Sequence, residues 1–229
     1  MKQSHLRKPT AKALAGSGKP HIFICCLLLL TCSFSFGVES DISCLKSIKA
    51  SLEDPSGYLS LSWDFSNTTE GFICKFLGIE CWHPNENKVL NIKLSDLGLK
   101  GQFPRGLSNC SSLTGLDLSG NKLSGPLPED IGRILAFITT LDLSSNSFSG
   151  KIPPSLSNCT YLNVLKLENN EFSGEIPQQL AQLKRLKTFS VANNRLSGPV
   201  PNFDGSVSFG PESYAGNSGL CGGPLKPCQ

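Results

Sequence analysis

The sequence predicts a right-handed α/β solenoid, in which short repeating units stack side by side around one extended hydrophobic core. Three observations indicate this fold class: a motif that recurs five times, a nearly constant spacing of its copies, and alternating apolar and polar residues within each copy. The spacings are 24, 25, 24 and 24 residues when the copies are aligned on their central apolar position. That position is occupied by Ile92, Leu116, Leu141, Leu165 and Phe189.

Each copy follows the pattern L-x-x-L-x-L-x-x-N-x-L, which defines the leucine-rich repeat. Residues 113–123, "LTGLDLSGNKL", show the pattern in full. Successive side chains of a strand point to opposite faces, so Leu116 and Leu118 are predicted to point inward and Asp117 toward solvent. We therefore expect five parallel strands, near residues 90–95, 114–118, 139–143, 163–167 and 187–191.

A column of asparagines follows the predicted strands, at the point where the chain turns. A buried amide at this point can bond backbone groups that the turn leaves unpaired. The first copy has Leu97 in this column, so we expect an atypical terminal repeat there. The column consists of Asn121, Asn146, Asn170 and Asn194.

The N-terminal segment, residues 1–37, is predicted to be a secretory signal peptide that is cleaved before Val38. It carries five Lys or Arg residues and no acidic residue, followed by the apolar run "IFICCLLLLTCSFSF". An uncleaved membrane anchor is the alternative, but the run is shorter than the ~20 residues that span a bilayer. Removing five of the 21 basic residues leaves 16 against 18 acidic ones, a net charge of −2. Nothing in that balance indicates a nucleic acid as partner.

Seven cysteines remain after the signal peptide, which favours an oxidising compartment. Two closely spaced pairs flank the repeats, and we predict disulfides Cys74–Cys81 and Cys221–Cys228 that hold the two caps together. Cys110 and Cys159 occupy the same position two repeats apart, about 10 Å from each other at the spacing of stacked strands, which is too far for a bridge. Both are predicted to be buried free thiols, and Cys44 is left unassigned.

Three Asn-x-Ser/Thr sequences predict glycans, at Asn67, Asn109 and Asn158. The last two occupy the same position in their repeats, on the convex or lateral side. We therefore expect sugars to crowd that side and to leave the strand face free.

The predicted domain order is a signal peptide over 1–37, an N-terminal cap over 38–88, five repeats over 89–209 and a C-terminal cap over 210–229. The N-terminal cap is expected to contain a helix that Asp41 or Ser43 caps and that ends at Pro55. Trp63 and Trp82 are predicted to pack in the core of the cap.

Residues suited to catalysis are scarce. After the signal peptide, His83 is the only histidine. Asp117 and Asp142 lie on neighbouring predicted strands, but Lys93 and Lys166 share their column, so a row of alternating charge on a solvated face explains them. We predict a binding module that is not an enzyme and uses no cofactor, metal or small-molecule substrate.

Several stretches outside the generic repeat, among them "GFICKFLGIECW", "LKTFSVANNRLSGPVPNF" and "SGLCGGPLKPC", resemble the ectodomains of the BIR group of plant leucine-rich-repeat receptor-like kinases. The resemblance covers about residues 40–228. It implies five repeats, each with a second short strand before its proline, and binding to SERK-type co-receptors. The family continues into a transmembrane helix and a kinase or pseudokinase domain, whereas this sequence stops at Gln229. We expect either an ectodomain-only product or a shortened sequence.

Two functions follow from the resemblance and the repeats. The first is a receptor ectodomain that regulates immune or growth signalling by docking on a SERK-type ectodomain, attached to the plasma membrane only through a missing C-terminal segment. The alternative is a freestanding secreted repeat protein of the apoplast, such as an inhibitor of microbial wall-degrading enzymes.

The expected docking surface is the strand face together with the N-terminal cap. Five strands present roughly 330 Å², below the ~800 Å² per partner of a standard interface, so the cap has to contribute. We expect partly exposed aromatic rings in the cap, apolar residues that interrupt polar strand columns, and charges that orient the partner. These residues are Phe72, Phe76, Leu90, Val164, Lys166 and Glu168.

Overall fold

The structure, a computed structural model, describes residues 40–67, 69–203 and 209–229. All of them belong to one compact unit, residues 36–229. The predicted signal peptide and its cleavage site lie outside the described residues. Within the described ranges, no helix has both the length and the apolar character that crossing a membrane requires.

The described residues form a solenoid with two sheets, as predicted. The inner sheet has six strands: β2 Ile79–Cys81, β3 Val89–Lys93, β5 Gly115–Asp117, β7 Thr140–Asp142, β9 Val164–Lys166 and β11 Thr188–Ser190. The five repeat strands are parallel and β2 adds to β3 in the antiparallel sense. Their central residues pair in register as the alignment predicted, from Ile92 through Leu116, Leu141 and Leu165 to Phe189.

The outer sheet confirms the second strand that the resemblance implied. Its seven strands are β1 Leu52–Glu53, β4 Lys100–Gly101, β6 Lys122–Pro126, β8 Ser147–Gly150, β10 Glu171–Gly174, β12 Arg195–Pro199 and β13 Gly219–Cys221. Five of them come from the repeats and pair in parallel, while β1 pairs with β4 in the antiparallel sense. The cap strand β13 continues the ladder beyond β12.

Short helices form the convex side. The longest, α1, covers residues 40–51, and it is followed by α2 Tyr58–Ser62 and α3 Ile131–Ile134. The other convex turns are 3₁₀-helices, at Phe72–Lys75, Arg105–Asn109, Pro154–Asn158, Gln178–Gln182 and Pro211–Tyr214. The α-helical turn α3 lies in the 25-residue repeat, because one extra residue separates its proline from the next strand.

The asparagine column forms a buried hydrogen-bonded ladder, as predicted. Asn170 Nδ2 donates to the carbonyls of Leu143, Leu167 and Glu168, and its Oδ1 accepts the amide of Phe148. Asn121, Asn146 and Asn194 make the equivalent bonds. The ladder continues into the C-terminal cap through Asn217, which the sequence pattern did not identify.

Both predicted cap disulfides are present, Cys74–Cys81 and Cys221–Cys228. The prediction that Cys110 is a free thiol was wrong, because it is bonded to Cys44, with 5.5 Å between their Cα atoms. The helix α1 reaches the first repeat because Gly106 has no side chain, and a Cβ there would collide with Ser47. Among the described cysteines, Cys159 is free and buried, as predicted.

The N-terminal cap differs from the prediction in two further respects. Trp63 is buried as expected, but Trp82 is 46% exposed, because it follows the edge strand β2 and its indole N–H reaches outward to the Ser112 carbonyl, 3.1 Å away. Asp41, which was expected to cap the helix, lies within α1 and is fully buried. Its carboxylate accepts the backbone N–H of Val89, 2.7 Å away, and so connects the helix to the first repeat. Burial raises the pKa of Asp41.

Candidate functional site

The strand face is largely polar, with two apolar interruptions where the sequence placed them. Val164 pairs in register with Thr140 on one side and Thr188 on the other, and it is half-buried. Leu90 is also half-buried, at the opposite end of the neighbouring column, and its carbonyl accepts the hydroxyl of Thr114. These two side chains are too far apart in the stack to form one anchor.

Charged residues on this face pair with one another. Lys166 Nζ lies 3.1 Å from the Asp142 carboxylate, and the hydrogen bond from Lys166 to Asp142 raises the pKa of Lys166. Asp142 also accepts the hydroxyl of Ser144. One carboxylate oxygen of Glu168 is buried and accepts no hydrogen bond from the described residues. The predicted row of charges on a solvated face is therefore present, and the carboxylates of Asp117 and Asp142 already have partners of their own.

The expected exposure of Phe72 and Phe76 was wrong. Their exposed fractions are only 6% and 7%, because the 3₁₀-helix Phe72–Lys75 turns both rings into the cap. Phe76 stacks on Trp63 with 5.9 Å between ring centroids and meets the edge of Phe65 at 5.1 Å. Both phenylalanines stabilise the cap core and are not available to a partner.

A row of exposed aromatic and cationic side chains runs along one lateral edge of the solenoid. Phe137, Tyr161 and Arg185 each immediately precede the first inward-pointing residue of their repeat, so they stack in successive repeats. Trp82 extends the row from the N-terminal cap. The exposed fractions are 46% for Trp82, 56% for Phe137 and 43% for Tyr161. We call Trp82, Phe137, Tyr161 and Arg185 the lateral strip.

Three side chains of the lateral strip, Phe137, Tyr161 and Arg185, lie against one another, and Trp82 is held by other contacts. The ring centroids of Phe137 and Tyr161 are 6.2 Å apart, and the guanidinium carbon of Arg185 lies 5.4 Å from the centroid of Tyr161. At the other end, Lys88 Nζ lies 5.9 Å from the Trp82 ring. Rings that are ordered before binding lose little conformational freedom on contact with a partner. Cations at both ends favour a partner with acidic groups beside an apolar patch.

A shallow cleft of about 230 Å³ lies beside Phe137, so the lateral edge carries a depression next to an exposed ring. It is lined by Ser108, Cys110, Ser111, Leu113, Arg133, Ile134, Leu135, Ala136 and Phe137. Its walls come from the first disulfide-linked repeat and from α3. A protruding apolar side chain of a partner could occupy it next to the exposed phenylalanine ring.

The sequence patterns did not identify the lateral strip. A signal was nevertheless present, because an exposed position rarely holds two successive aromatic residues. The position before the first inward-pointing residue of the five repeats is occupied by Lys88, Ser112, Phe137, Tyr161 and Arg185. Phe137 is the most exposed ring of the three, and it follows α3 in the 25-residue repeat.

The predicted glycan sites remain predictions, and the structure locates two of them near this edge. Asn109 and Asn158 are exposed and end the 3₁₀-helices Arg105–Asn109 and Pro154–Asn158. Asn158 lies three residues before Tyr161 in the chain. Asn67 is also exposed, and its side-chain oxygen accepts the amide of Thr69 at 2.9 Å.

Metal-binding chemistry is not indicated for the described part of the chain, where no group of three or more His, Cys, Asp or Glu side chains is arranged to hold an ion.

Among family models, the leucine-rich repeat N-terminal domain matches residues 38–82. The leucine-rich repeat model matches residues 112–134, 137–159 and 161–183. Both matches agree with the cap and the stacked repeats described above.

Relatives and solved structures match over most of the chain. The inactive LRR receptor-like serine/threonine-protein kinase BIR2 of Arabidopsis thaliana is 55% identical over 213 residues, which are 92% of this chain and 35% of that protein. The crystal structure of the BIR2 ectodomain from the same plant is 50% identical, with a TM-score of 0.80, and the match covers 82% of this chain and 98% of that one.

A chain in the crystal structure of the Arabidopsis thaliana BIR3–SERK2 complex is also similar. It is 44% identical with a TM-score of 0.77, over 82% of this chain and 98% of that chain. The sequence spans about a third of the length of the full-length curated relatives that it matches. It therefore corresponds to the extracellular repeat portion of such relatives.

Proposed function

The chain belongs to the BIR family of plant leucine-rich-repeat receptor-like kinases, and on that premise we propose that it is an extracellular protein-binding module that docks on a SERK-type ectodomain. The similarity to a chain of a BIR3–SERK2 complex supports this class of partner. The relative BIR2 is named as an inactive kinase, which favours a role in binding rather than in phosphoryl transfer. Through that docking the protein regulates immune or growth signalling at the outer face of the plasma membrane.

The lateral strip is the observation that carries the docking proposal. Trp, Tyr and Arg are the residues that contribute most to protein interfaces, and exposed aromatic rings in one row are unusual on a surface without a partner. Trp82, Phe137 and Tyr161 are each about half exposed. Since an aromatic side chain buries roughly 200 Å² when it is covered completely, the three rings offer about 300 Å² more.

The added area brings the interface close to the size that a stable complex needs. The strand face alone presents roughly 330 Å², and with the rings the total is about 630 Å², against ~800 Å² per partner in a standard interface. Val164 extends the surface from the strip onto the strand face, because it follows Tyr161 by three residues. Lys166, Glu168 and Leu90 lie on the same face and complete the proposed surface.

The proposal is tested by calorimetric titration of glycosylated residues 38–229 against a SERK ectodomain near pH 6. Removing both Phe137 and Tyr161 by alanine substitution should weaken binding at least ~30-fold, the effect of one strong interface residue. Val164→Asp should weaken it as well. Tyr58→Ala is the matched control, because Tyr58 is an equally exposed ring that lies outside the lateral strip, in α2.

The outcomes separate the partner from the site. If the parent protein shows no binding, the SERK assignment fails and the secreted-inhibitor alternative is the next to be assayed, with microbial wall-degrading enzymes. If the parent binds but the Phe137/Tyr161 and Val164 variants bind equally well, the partner assignment stands and the proposed surface is wrong.

A further inference from the structure

We propose that Asn109 is an N-glycosylation site whose occupancy is limited by closure of the Cys44–Cys110 disulfide, whereas the equivalent site at Asn158 has no such limit. The inference rests on the proposed function only in requiring that the chain matures in the secretory pathway. It concerns two acceptor sequences that are almost identical in sequence and in fold position. They differ in one covalent bond.

The two sites are matched in local structure. The sequences Asn109-Cys110-Ser111 and Asn158-Cys159-Thr160 occupy the same position in their repeats. Each asparagine is the last residue of a 3₁₀-helix and is exposed, so the folded protein has room for a glycan at both. Each cysteine is buried, with exposed fractions of 5% for Cys110 and 0% for Cys159.

The two sites differ in the middle residue of the acceptor sequence, which is disulfide-bonded at Cys110 and a free thiol at Cys159. Cys110 is bonded to Cys44 in α1, and the neighbouring Ser111 backbone amide lowers the pKa of the buried Asp41 carboxyl in the same helix, although burial raises that pKa more. The acceptor sequence at Asn109 is thus fixed to the N-terminal cap by a covalent bond. Cys159 remains a thiol that lies 3.4 Å from the carbonyl of Leu135, and no covalent bond fixes the sequence around it.

Two reactions compete for the same three residues. In glycan transfer, Asn109 Nδ2 forms a bond to the anomeric carbon of a lipid-pyrophosphate oligosaccharide, the carbon–oxygen bond to pyrophosphate breaks, and the amide proton is lost. In disulfide closure, the thiols of Cys44 and Cys110 give up two electrons and two protons to a protein or glutathione disulfide. The transferring enzyme needs an extended acceptor, and closure fixes this one covalently in its 3₁₀ turn, whereas the equivalent turn at Asn158 remains free to open.

The order of synthesis favours closure over transfer. Cys44 precedes Cys110 by 66 residues, so its thiol is already in the lumen when Cys110 arrives. A glycan at Asn109 would lie three residues before Ser112, whose carbonyl holds the indole of Trp82. The redox conditions during folding would therefore decide whether a sugar stands beside the N-terminal end of the lateral strip.

The test is site occupancy, measured by peptide mass spectrometry on residues 1–229 expressed with their leader in plant cells, from medium and lysate together. Every variant carries Ser111→Thr, so that both acceptors end in threonine. We expect occupancy at Asn109 below that at Asn158 in this background. Cys44→Ser and, separately, Cys110→Ala should raise Asn109 occupancy at least twofold and leave Asn158 unchanged.

Cys221→Ser is the matched control, since it breaks the C-terminal cap disulfide and leaves Cys44–Cys110 intact. An equal rise at Asn109 in this control would show that slow folding alone explains the effect and would overturn the proposal. Nearly complete or absent glycosylation of Asn109 in every variant would overturn it too. None of these measurements involves a SERK ectodomain, so failure of the docking proposal would be seen separately.

Discussion

Replacing Asn170 with alanine should destabilise the solenoid more than any surface substitution in the same repeat. The side chain of Asn170 is 8% exposed and makes four hydrogen bonds to backbone groups. Its three acceptor carbonyls keep other donors, which include Asn146 on Leu143 and Asn194 on Leu167. The amide of Phe148, in contrast, loses the acceptor that it has in the wild type.

The expected loss of stability comes mainly from the Phe148 amide, which is left without an acceptor. A buried N–H without an acceptor costs about 1–3 kcal/mol, and each of the donated bonds contributes about 0.5–1.5 kcal/mol. Because the carbonyls remain bonded, we take only part of the second contribution and expect a total near 3 kcal/mol. In a domain of this size, 1 kcal/mol corresponds to roughly 2–4 °C in Tm, so the expected fall is about 6–12 °C.

Thermal and denaturant unfolding monitored by circular dichroism would measure both quantities. The matched control is Asn169→Gly, at the adjacent exposed position, where φ is 56° and the second and C-terminal copies of the motif carry glycine. It should change the free energy of unfolding by less than about 0.5 kcal/mol. A loss below about 1 kcal/mol for Asn170→Ala, or one equal to that of the control, would refute the ladder as a source of stability.

Two further predictions concern the thiol and the turns. Burial raises the pKa of Cys159 to about 12, so at about pH 8 the folded protein should resist alkylation by iodoacetamide and the denatured protein should react; rapid labelling of the folded form, measured by mass spectrometry, would contradict this. Gly120→Ala should lower Tm more than Gly98→Ala, although both have left-handed backbones, with φ of 65° and 67°. A Cβ at position 120 would collide with the Asp96 carboxylate, whereas at position 98 it meets nothing within 4 Å; equal losses would show that backbone strain alone acts.

The repeats were predictable from the sequence because one physical requirement recurs in each of them. A strand with one buried face must alternate apolar and polar residues, and a turn with unpaired backbone groups needs an amide, so strand register and the asparagine ladder follow from spacing. Asn217 was not identified as part of the ladder, because the C-terminal cap shortens the motif around it and lacks the leucines that define the pattern.

The Cys44–Cys110 bond could not be predicted from stacking distances. Those distances apply between equivalent positions of successive repeats, whereas α1 lies across the first repeat and brings together residues 66 positions apart. Phe72 and Phe76 were misjudged for a related reason, since a 3₁₀-helix places residues that flank a cysteine on the inside. The exposed rings of Phe137 and Tyr161 were missed because their position lies outside the L-x-x-L-x-L-x-x-N-x-L pattern, which describes only the buried residues and the asparagine.

The asparagine ladder and the Cys44–Cys110 bond divide the molecule into two ends that are held by different chemistry. From Asn121 to Asn217, carbonyls such as those of Leu143 and Leu167 each accept bonds from two successive asparagines, so loosening one repeat weakens its neighbours on both sides. Such nearest-neighbour coupling favours unfolding in one cooperative step. The first repeat has Leu97 in place of the amide, and there a covalent bond ties the cap to the stack. Reduction of Cys44–Cys110 would therefore remove the covalent link between α1 and the first repeat, whereas the asparagine ladder contains no covalent bond between repeats and is not itself a target of a reductant.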